Sequence, residues 1–214
     1  MPPVVRPYRG VSADDRRAQR RERLLEAGLD VLGEQGIAGV TMTAVRRRAG
    51  LTDRYFYESF RDRDDFLLAL LAHSVQLVNT AVLRALEDAP DDTPSRVRAV
   101  LAAALTEMTD DPRQARAFRE AAGDPAIRPH LNLALAAYAK AGAWELGGRR
   151  KRTKQDQARL ELAATVLVGG LANAVTSWLE GGLKITRAEL IDECTHLYVA
   201  AAESIDRRSR SRRE

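Results

Sequence analysis

Proline residues mark helix starts in the second half of this chain. Thr93-Pro94, Asp111-Pro112 and Asp124-Pro125 each place a capping side chain directly before a proline. Proline suits the first turn of a helix, where its missing N–H costs no hydrogen bond. Apolar residues between these points recur at helical spacing, and aromatic residues make up only 5% of the chain. The sequence therefore predicts an all-α fold with about nine helices.

Residues 41–66 contain two short helical segments on either side of Gly50. The first runs from about Thr41 to Ala49, and Gly50 can end it in a left-handed conformation without steric cost. The second runs from about Thr52 to Phe60 and has a polar, basic and aromatic outer face. This pattern is typical of a helix-turn-helix, whose second helix enters the major groove of DNA, but helical hairpins with a glycine turn also occur in other all-α proteins.

The flanking segments favour the helix-turn-helix interpretation. Ser12 begins a helix that ends at Gly36, so three helices can close over one apolar core. Asp62 is a candidate N-cap of a fourth helix that continues to about Leu86. We predict a three-helix DNA-binding head with a larger helical body, divided as follows: flexible arm, 1–11; helix-turn-helix domain, 12–61; regulatory and dimerisation domain, 62–206; basic tail, 207–214.

The last two predicted helices are candidates for a dimer interface. The helix from about Gln155 to Gly181 is apolar nearly all round and lacks charged residues from Leu162 to Leu179. That stretch approaches the lower limit for a membrane span, but its scattered polar residues favour a helix buried on both sides. The last helix begins at Thr186, with Leu197 expected to face inward. Such a helix pair predicts a homodimer built from four helices across a two-fold axis, with no membrane association.

The residue types argue against an enzyme or a metal site. His73, His130 and His196 lie far apart and show no metal-ligand spacing. The single cysteine, Cys194, excludes a disulfide framework. We expect no cofactor. The N-terminal region shows no secretory signal pattern, so a cytoplasmic location is expected.

About residues 20–68 resemble the TetR family of transcriptional regulators. The resemblance implies a homodimer that binds a near-palindromic operator in double-stranded DNA, usually as a repressor, and that a small-molecule effector releases. It is carried by these residues: Leu24-Leu25-Glu26-Ala27, Gly36, Thr41, Val45, Ala49-Gly50-Leu51-Thr52, Phe56-Tyr57, Phe60 and Asp62-Arg63-Asp64-Asp65-Phe66.

The same resemblance implies which residues contact DNA. Thr41, Tyr57 and Arg63 match phosphate-contacting positions, and Thr52 to Tyr55 match the helix that meets base edges. Arg54 stands where the family commonly has glycine. We hypothesise that it is the main base reader; the alternatives are a phosphate contact and a surface ion pair. Arg46 replaces a small packed residue, so it either extends outward or marks a local change. The predicted DNA-binding residues are Thr41, Thr43, Thr52, Asp53, Arg54, Tyr55, Tyr57 and Arg63.

Apolar residues of the body are candidates to line an effector cavity, although each is also a candidate for plain core. Few charged groups lie among them, so an effector would be mainly hydrophobic. The competing hypothesis is a helical ligand-binding or scaffolding dimer without sequence-specific DNA binding. The basic stretches 149–154 and 207–213 have no assigned role. The candidate lining residues are Val75, Val78, Leu101, Leu105, Met108, Phe118, Leu131, Leu135, Tyr138 and Trp178.

Overall fold

The structure is a computed structural model that describes residues 12–121, 123–147 and 153–210. These residues form nine α-helices and one short 3₁₀ helix, Ile37–Gly39, and they contain no strand. The predicted all-α fold is confirmed. Residues 149–152 of the predicted basic loop and residues 211–213 of the predicted basic tail lie outside the described residues, whereas 207–210 form the end of the last helix. The helices are α1 (Ala13–Gln35), α2 (Met42–Ala49), α3 (Asp53–Tyr57), α4 (Arg63–Asp88), α5 (Thr93–Thr109), α6 (Pro112–Ala121), α7 (Arg128–Gly147), α8 (Lys154–Leu179) and α9 (Arg187–Arg210).

Local capping explains most of the helix starts. Ser12 and Asp15 form a capping box at the start of α1, as predicted, and α6 begins at Pro112. One predicted N-cap and one predicted helix start are wrong. The N-cap of α5 is Asp92 rather than Thr93, because the Asp92 carboxylate accepts a hydrogen bond from the Ser95 amide. The third pair, Asp124-Pro125, forms a turn in which Asp124 accepts from the amides of residues 126 and 127, so α7 begins later.

The chain divides into two compact units, and the first contains the described residues of 12–74 and 111–127. Three phenylalanine rings lie at the centre of its core. The ring centroid of Phe56 lies 5.5 Å from those of both Phe60 and Phe66, which lie 4.9 Å from each other. Apolar residues of α1, α2, α4 and the connection before α2 are buried with them. These are Leu24, Leu25, Leu29, Leu32, Val40, Val45, Leu67 and Leu70.

Helix α6 packs on α1 within this first unit, whereas the sequence placed it in the body. Arg113 Nη1 lies 2.6 Å from Asp30 Oδ1, and Arg116 donates to the Gly33 carbonyl. A Cβ atom on Gly33 would lie 2.6 Å from Arg113 Cγ, so only glycine permits this approach. Glu120 accepts a 2.6 Å hydrogen bond from the Ile37 amide. The first unit is therefore larger than the predicted domain 12–61, because these contacts add α6 to it.

The α1–α6 ion pairs predict an acid-sensitive first unit. The hydrogen bond from Arg113 lowers the pKa of Asp111. Burial raises the pKa of Asp30, but hydrogen bonds from Arg113 and Arg48 outweigh it and leave that pKa below its usual value. Both carboxylates therefore stabilise the fold above the unfolded pKa of about 4 and lose this contribution as pH falls through the lowered folded value.

We expect Asp30→Asn to weaken the dependence of unfolding free energy on pH between about pH 5 and pH 2. Urea unfolding followed by circular dichroism at several pH values measures it. Asp91→Asn, at an exposed carboxylate, is the control for loss of one negative charge. An unchanged pH dependence in Asp30→Asn would show that these ion pairs do not stabilise the unit.

The second unit contains the described residues of 75–110 and 128–210. Side chains of α5, α8 and α9 form one buried cluster that includes Leu101, Val175 and Leu190. A second cluster joins α7 and α8 and includes Ala143 and Leu160. Both clusters use the same side of α8, so this helix packs against its neighbours along one face.

The opposite face of α8 is exposed, contrary to the expectation that the helix is buried on both sides. Leu162 and Val166 are 65% and 64% exposed. Leu197 of α9 is 57% exposed, so the expectation that it faces inward is also wrong. Within this chain α7 and α5 cover only one side of the α8–α9 pair. The apolar surface on the other side is exposed.

Among the described residues two helices, α4 and α8, are long and apolar enough to cross a membrane by length and composition alone. Core helices of globular proteins pass the same test. The first half of α4 buries Phe66, Leu67 and Leu70, and α8 buries Leu160 and Ala164. Part of the apolar surface of each helix is therefore used in packing.

Candidate nucleic-acid interface

The helix-turn-helix consists of α2, the turn at Gly50 and α3. Thr41 caps α2, and its hydroxyl accepts a 3.1 Å hydrogen bond from the Ala44 amide. Gly50 ends α2 in the left-handed conformation, with φ 63° and ψ 36°, as predicted. Helix α3 begins at Asp53 but ends at Tyr57 rather than near Phe60. The chain then turns so that the Phe60 ring enters the core.

Helix α3 has only 5 residues and depends on its neighbours, because a helix this short is not stable alone. At its N-terminal end, Arg46 Nε of α2 lies 2.6 Å from Asp53 Oδ1. At its C-terminal end, Arg17 of α1 donates to the Glu58 carbonyl. The question raised by Arg46 is thereby answered: its side chain extends outward from the head core to the first turn of α3.

Most of the predicted DNA-binding side chains are exposed on α2 and α3. Arg54 is 83% exposed and makes an ion pair with Glu58, four residues later. Tyr55 is half-buried, and the Arg20 guanidinium carbon lies 4.5 Å from the centre of its ring. The structure thus places hydroxyl and guanidinium groups together along one short stretch. The exposed members are Thr41, Thr43, Thr52, Asp53, Arg54 and Tyr57.

Arg63, at the start of α4, makes contacts that the sequence did not predict. Its Nε donates to the Val40 carbonyl and its Nη2 to the Ile37 carbonyl, both at 2.8 Å. These hydrogen bonds hold the chain just before Thr41, the N-cap of α2. No local signal could have revealed them, because the partners are 23 and 26 residues away.

The predicted effector-lining residues do not form one described cavity. Leu101 and Leu105 are buried in the core of the second unit, and Met108 and Trp178 pack against them. Phe118 belongs instead to the first unit, where a small apolar cavity of about 20 Å³ lies among α1, α4 and α6. That cavity has room for about one water molecule and falls far below the usual size of a ligand pocket.

Tyr138 of α7 differs from the other candidates. Its hydroxyl is buried and has no hydrogen-bond partner among the described residues, and burial raises its pKa. A buried hydroxyl without a partner is energetically costly. Among the predicted effector-lining residues, Tyr138 is therefore the one whose polar group could still form a hydrogen bond with a ligand.

The three-helix head, with α3 exposed as the second helix of its helix-turn-helix, places this protein in the class of helix-turn-helix DNA-binding proteins. Residues 24–70 match the family described as bacterial regulatory proteins, tetR family. The HTH-type transcriptional regulator BetI of Burkholderia cenocepacia J2315 is 30% identical over 177 residues, which cover 77% of this chain and 82% of that protein. This chain belongs to the TetR family of DNA-binding transcriptional regulators.

Other relatives match a shorter region. BetI of Paraburkholderia phytofirmans is 33% identical over 94 residues, which span 44% of this chain and 48% of that protein. Both named relatives are HTH-type transcriptional regulators. Family membership favours the DNA-binding interpretation over a scaffold that does not bind DNA.

Solved structures share the fold. A TetR-like transcriptional regulator from Rhodococcus sp. RHA1 has a TM-score of 0.63 and 23% identity, covering 85% of this chain and 94% of that one. The transcriptional regulator FadR from Bacillus subtilis, in complex with stearoyl-CoA, has a TM-score of 0.65 and 18% identity, covering 84% and 98%. At these identities the similarity establishes the helical architecture alone.

Proposed function

We propose that the protein is a cytoplasmic repressor that binds a near-palindromic operator as a homodimer and is released by a mainly hydrophobic small molecule. Sequence-specific DNA binding is supported by one observation, the exposed side chain of Arg54 on α3. Its Nε donates a hydrogen bond to Glu58, and within the described part of the chain both terminal nitrogens remain available. Arginine can donate to guanine O6 and N7 together, the commonest base-specific contact in the major groove.

Phosphate contacts would come from groups around Arg54. The exposed hydroxyls of Thr41, Thr43 and Tyr57 suit this role, because hydroxyl groups position a protein on the DNA backbone. The Arg63 side chain is 36% exposed, and its Nη1 lies 3.7 Å from Asp64 Oδ1. Its two carbonyl contacts support a positioning role together with the phosphate contact predicted for it.

The exposed face of α8 supports the homodimer. Leu162, Val166, Gly169, Gly170 and Asn173 recur at helical spacing and are exposed. Two-fold pairing of this face with a second copy would bury apolar surface that this chain leaves in water. The two glycines would allow the helices of the two copies to approach closely.

Two observations support release by a hydrophobic effector: one concerns the second unit, and the other a solved structure with a similar fold. The buried hydroxyl of Tyr138, which has no hydrogen-bond partner among the described residues, offers one polar contact to a ligand. FadR from Bacillus subtilis, which has a similar fold, binds stearoyl-CoA, a largely hydrophobic molecule. Effector binding would favour one conformation of the body, move α4 and change the spacing of the reading helices from the roughly 34 to 36 Å of one DNA turn.

The DNA-reading proposal is tested by replacing Arg54. Selection of bound sequences from random duplex first defines the operator, and its symmetry reports dimerisation. Fluorescence anisotropy then compares operator variants changed at each base pair. Arg54→Ala is expected to lose about 1–3 kcal/mol of discrimination, roughly 5- to 150-fold, at one base pair of each half-site.

Arg61→Ala is the matched control. Arg61 is also 83% exposed and also pairs with a carboxylate four residues later, Asp65, but it lies outside α3. Its loss is expected to leave base discrimination unchanged. Equal weakening on every sequence by Arg54→Ala, together with a shallower salt dependence, would instead identify Arg54 as a phosphate contact.

A further inference from the structure

We propose that Glu58 is a positioning residue that determines DNA specificity by orienting Arg54 and that α1 holds Glu58 in place. This inference rests on the proposed reading role of Arg54. Glu58 directly follows α3, and the sequence pattern assigned it no function. Its contacts join the reading helix to α1.

The Glu58 carboxylate lies between two arginines. Its Oε1 accepts a 3.0 Å hydrogen bond from Arg54 Nε, and its Oε2 lies 3.4 Å from Arg20 Nη2. The side chain of Arg54 is 83% exposed, whereas those of Glu58 and Arg20 are 31% and 24% exposed. Glu58 is therefore the inner, better-shielded partner, and Arg54 is the outer group that can reach a ligand.

Helix α1 fixes both the backbone and the side chain of Glu58. Arg17 donates to its carbonyl, while Arg20, one turn further along α1, pairs with its carboxylate. The Arg20 guanidinium also lies over the Tyr55 ring, at 4.5 Å. Such cation–π contact adds to the ion pair in restraining Arg20. The carboxylate is thus tied to a long helix rather than only to α3.

A restrained arginine should read a base more selectively than a mobile one. Ordering a long side chain on binding costs free energy, and a bond at Nε reduces that cost by limiting the rotamers before DNA arrives. The bond also limits the plane of the guanidinium, whose two terminal nitrogens must align with guanine O6 and N7. An arginine released from Glu58 could instead turn to nearby phosphates.

Loss of Glu58 should therefore have two opposite effects. Removing a negative charge near the DNA surface should strengthen binding to all sequences, because Glu58 repels phosphates. Releasing Arg54 should weaken discrimination at the base pair that it reads. A residue that only stabilised the fold would change overall affinity without changing the ratio between operator variants.

The test is a double-mutant cycle on the full chain with Glu58→Ala, Arg54→Ala and the double variant. Anisotropy titrations give the ratio of affinities for the selected operator and for operators changed at the Arg54-dependent base pair. Glu58→Ala is expected to lower this ratio about 2- to 10-fold, as expected for one immobilised side chain. In the Arg54→Ala background the same change is expected to leave the ratio unaltered.

The outcomes distinguish a failure of this inference from a failure of the proposed function. No effect of Arg54→Ala on the ratio would overturn the reading role and the inference together. An effect of Arg54→Ala without one of Glu58→Ala would overturn only the inference. Equal effects of Glu58→Ala with and without Arg54 would show that Glu58 acts independently of Arg54. Thermal unfolding checks the fold, and Glu58→Met, which keeps the length of the side chain but removes both acceptor oxygens, replaces Glu58→Ala if that variant is unfolded.

Discussion

Replacing Phe56 with alanine is expected to unfold the DNA-binding head and to abolish operator binding. The Phe56 side chain is 1% exposed, and its ring contacts those of Phe60 and Phe66. Truncating a buried phenylalanine costs about 3–5 kcal/mol. This is a large part of the 5–15 kcal/mol that stabilises a typical domain. Urea unfolding followed by circular dichroism measures the loss, and anisotropy with the selected operator measures binding.

Tyr57→Ala is the control for this prediction. Tyr57 is the adjacent aromatic residue but is 56% exposed. Its replacement is expected to change the unfolding free energy by less than about 1 kcal/mol, although DNA affinity should fall if its hydroxyl contacts phosphate. Equal unfolding midpoints for Phe56→Ala and the unmodified protein would refute the central position of Phe56 in the core.

Val166→Glu is expected to convert the proposed dimer into monomers and to weaken operator binding by about 100-fold or more. Two-fold symmetry would bring both introduced carboxylates into one apolar interface, where unpaired charge is costly. A monomer also loses the gain of about 10²- to 10⁴-fold that linked half-site binding provides. Sedimentation velocity measures whether the species has the 23.6 kDa mass of one chain or twice that value.

Leu83→Glu provides a matched control on α4. Leu83 is 61% exposed, close to the 64% of Val166, but it lies on neither α8 nor α9. This variant is expected to keep the mass of a dimer and normal operator affinity. If Val166→Glu remained dimeric at micromolar concentration, the α8 face would not be the dimer interface.

The candidate site was predictable where its residues form a continuous stretch. Thr41 and Gly50 act on amides and carbonyls within four or five residues, so the sequence alone placed both ends of α2 correctly. The exposure of Arg54 and Tyr57 follows from Phe56 and Phe60 entering the core. The contacts of Glu58 with α1 were not predictable, because Arg17 and Arg20 lie 41 and 38 residues away.

The sequence by itself determined the all-α fold, the helix-turn-helix and most helix starts, because capping and helical periodicity act over a few residues. Asp124 shows the limit of that rule, since its side chain forms a turn instead of starting a helix. Only the tertiary structure decided that α6 packs on α1, that Arg46 reaches Asp53, and that one face of α8 remains exposed. These features depend on which helices approach each other, and close approach is decided by packing across the whole unit.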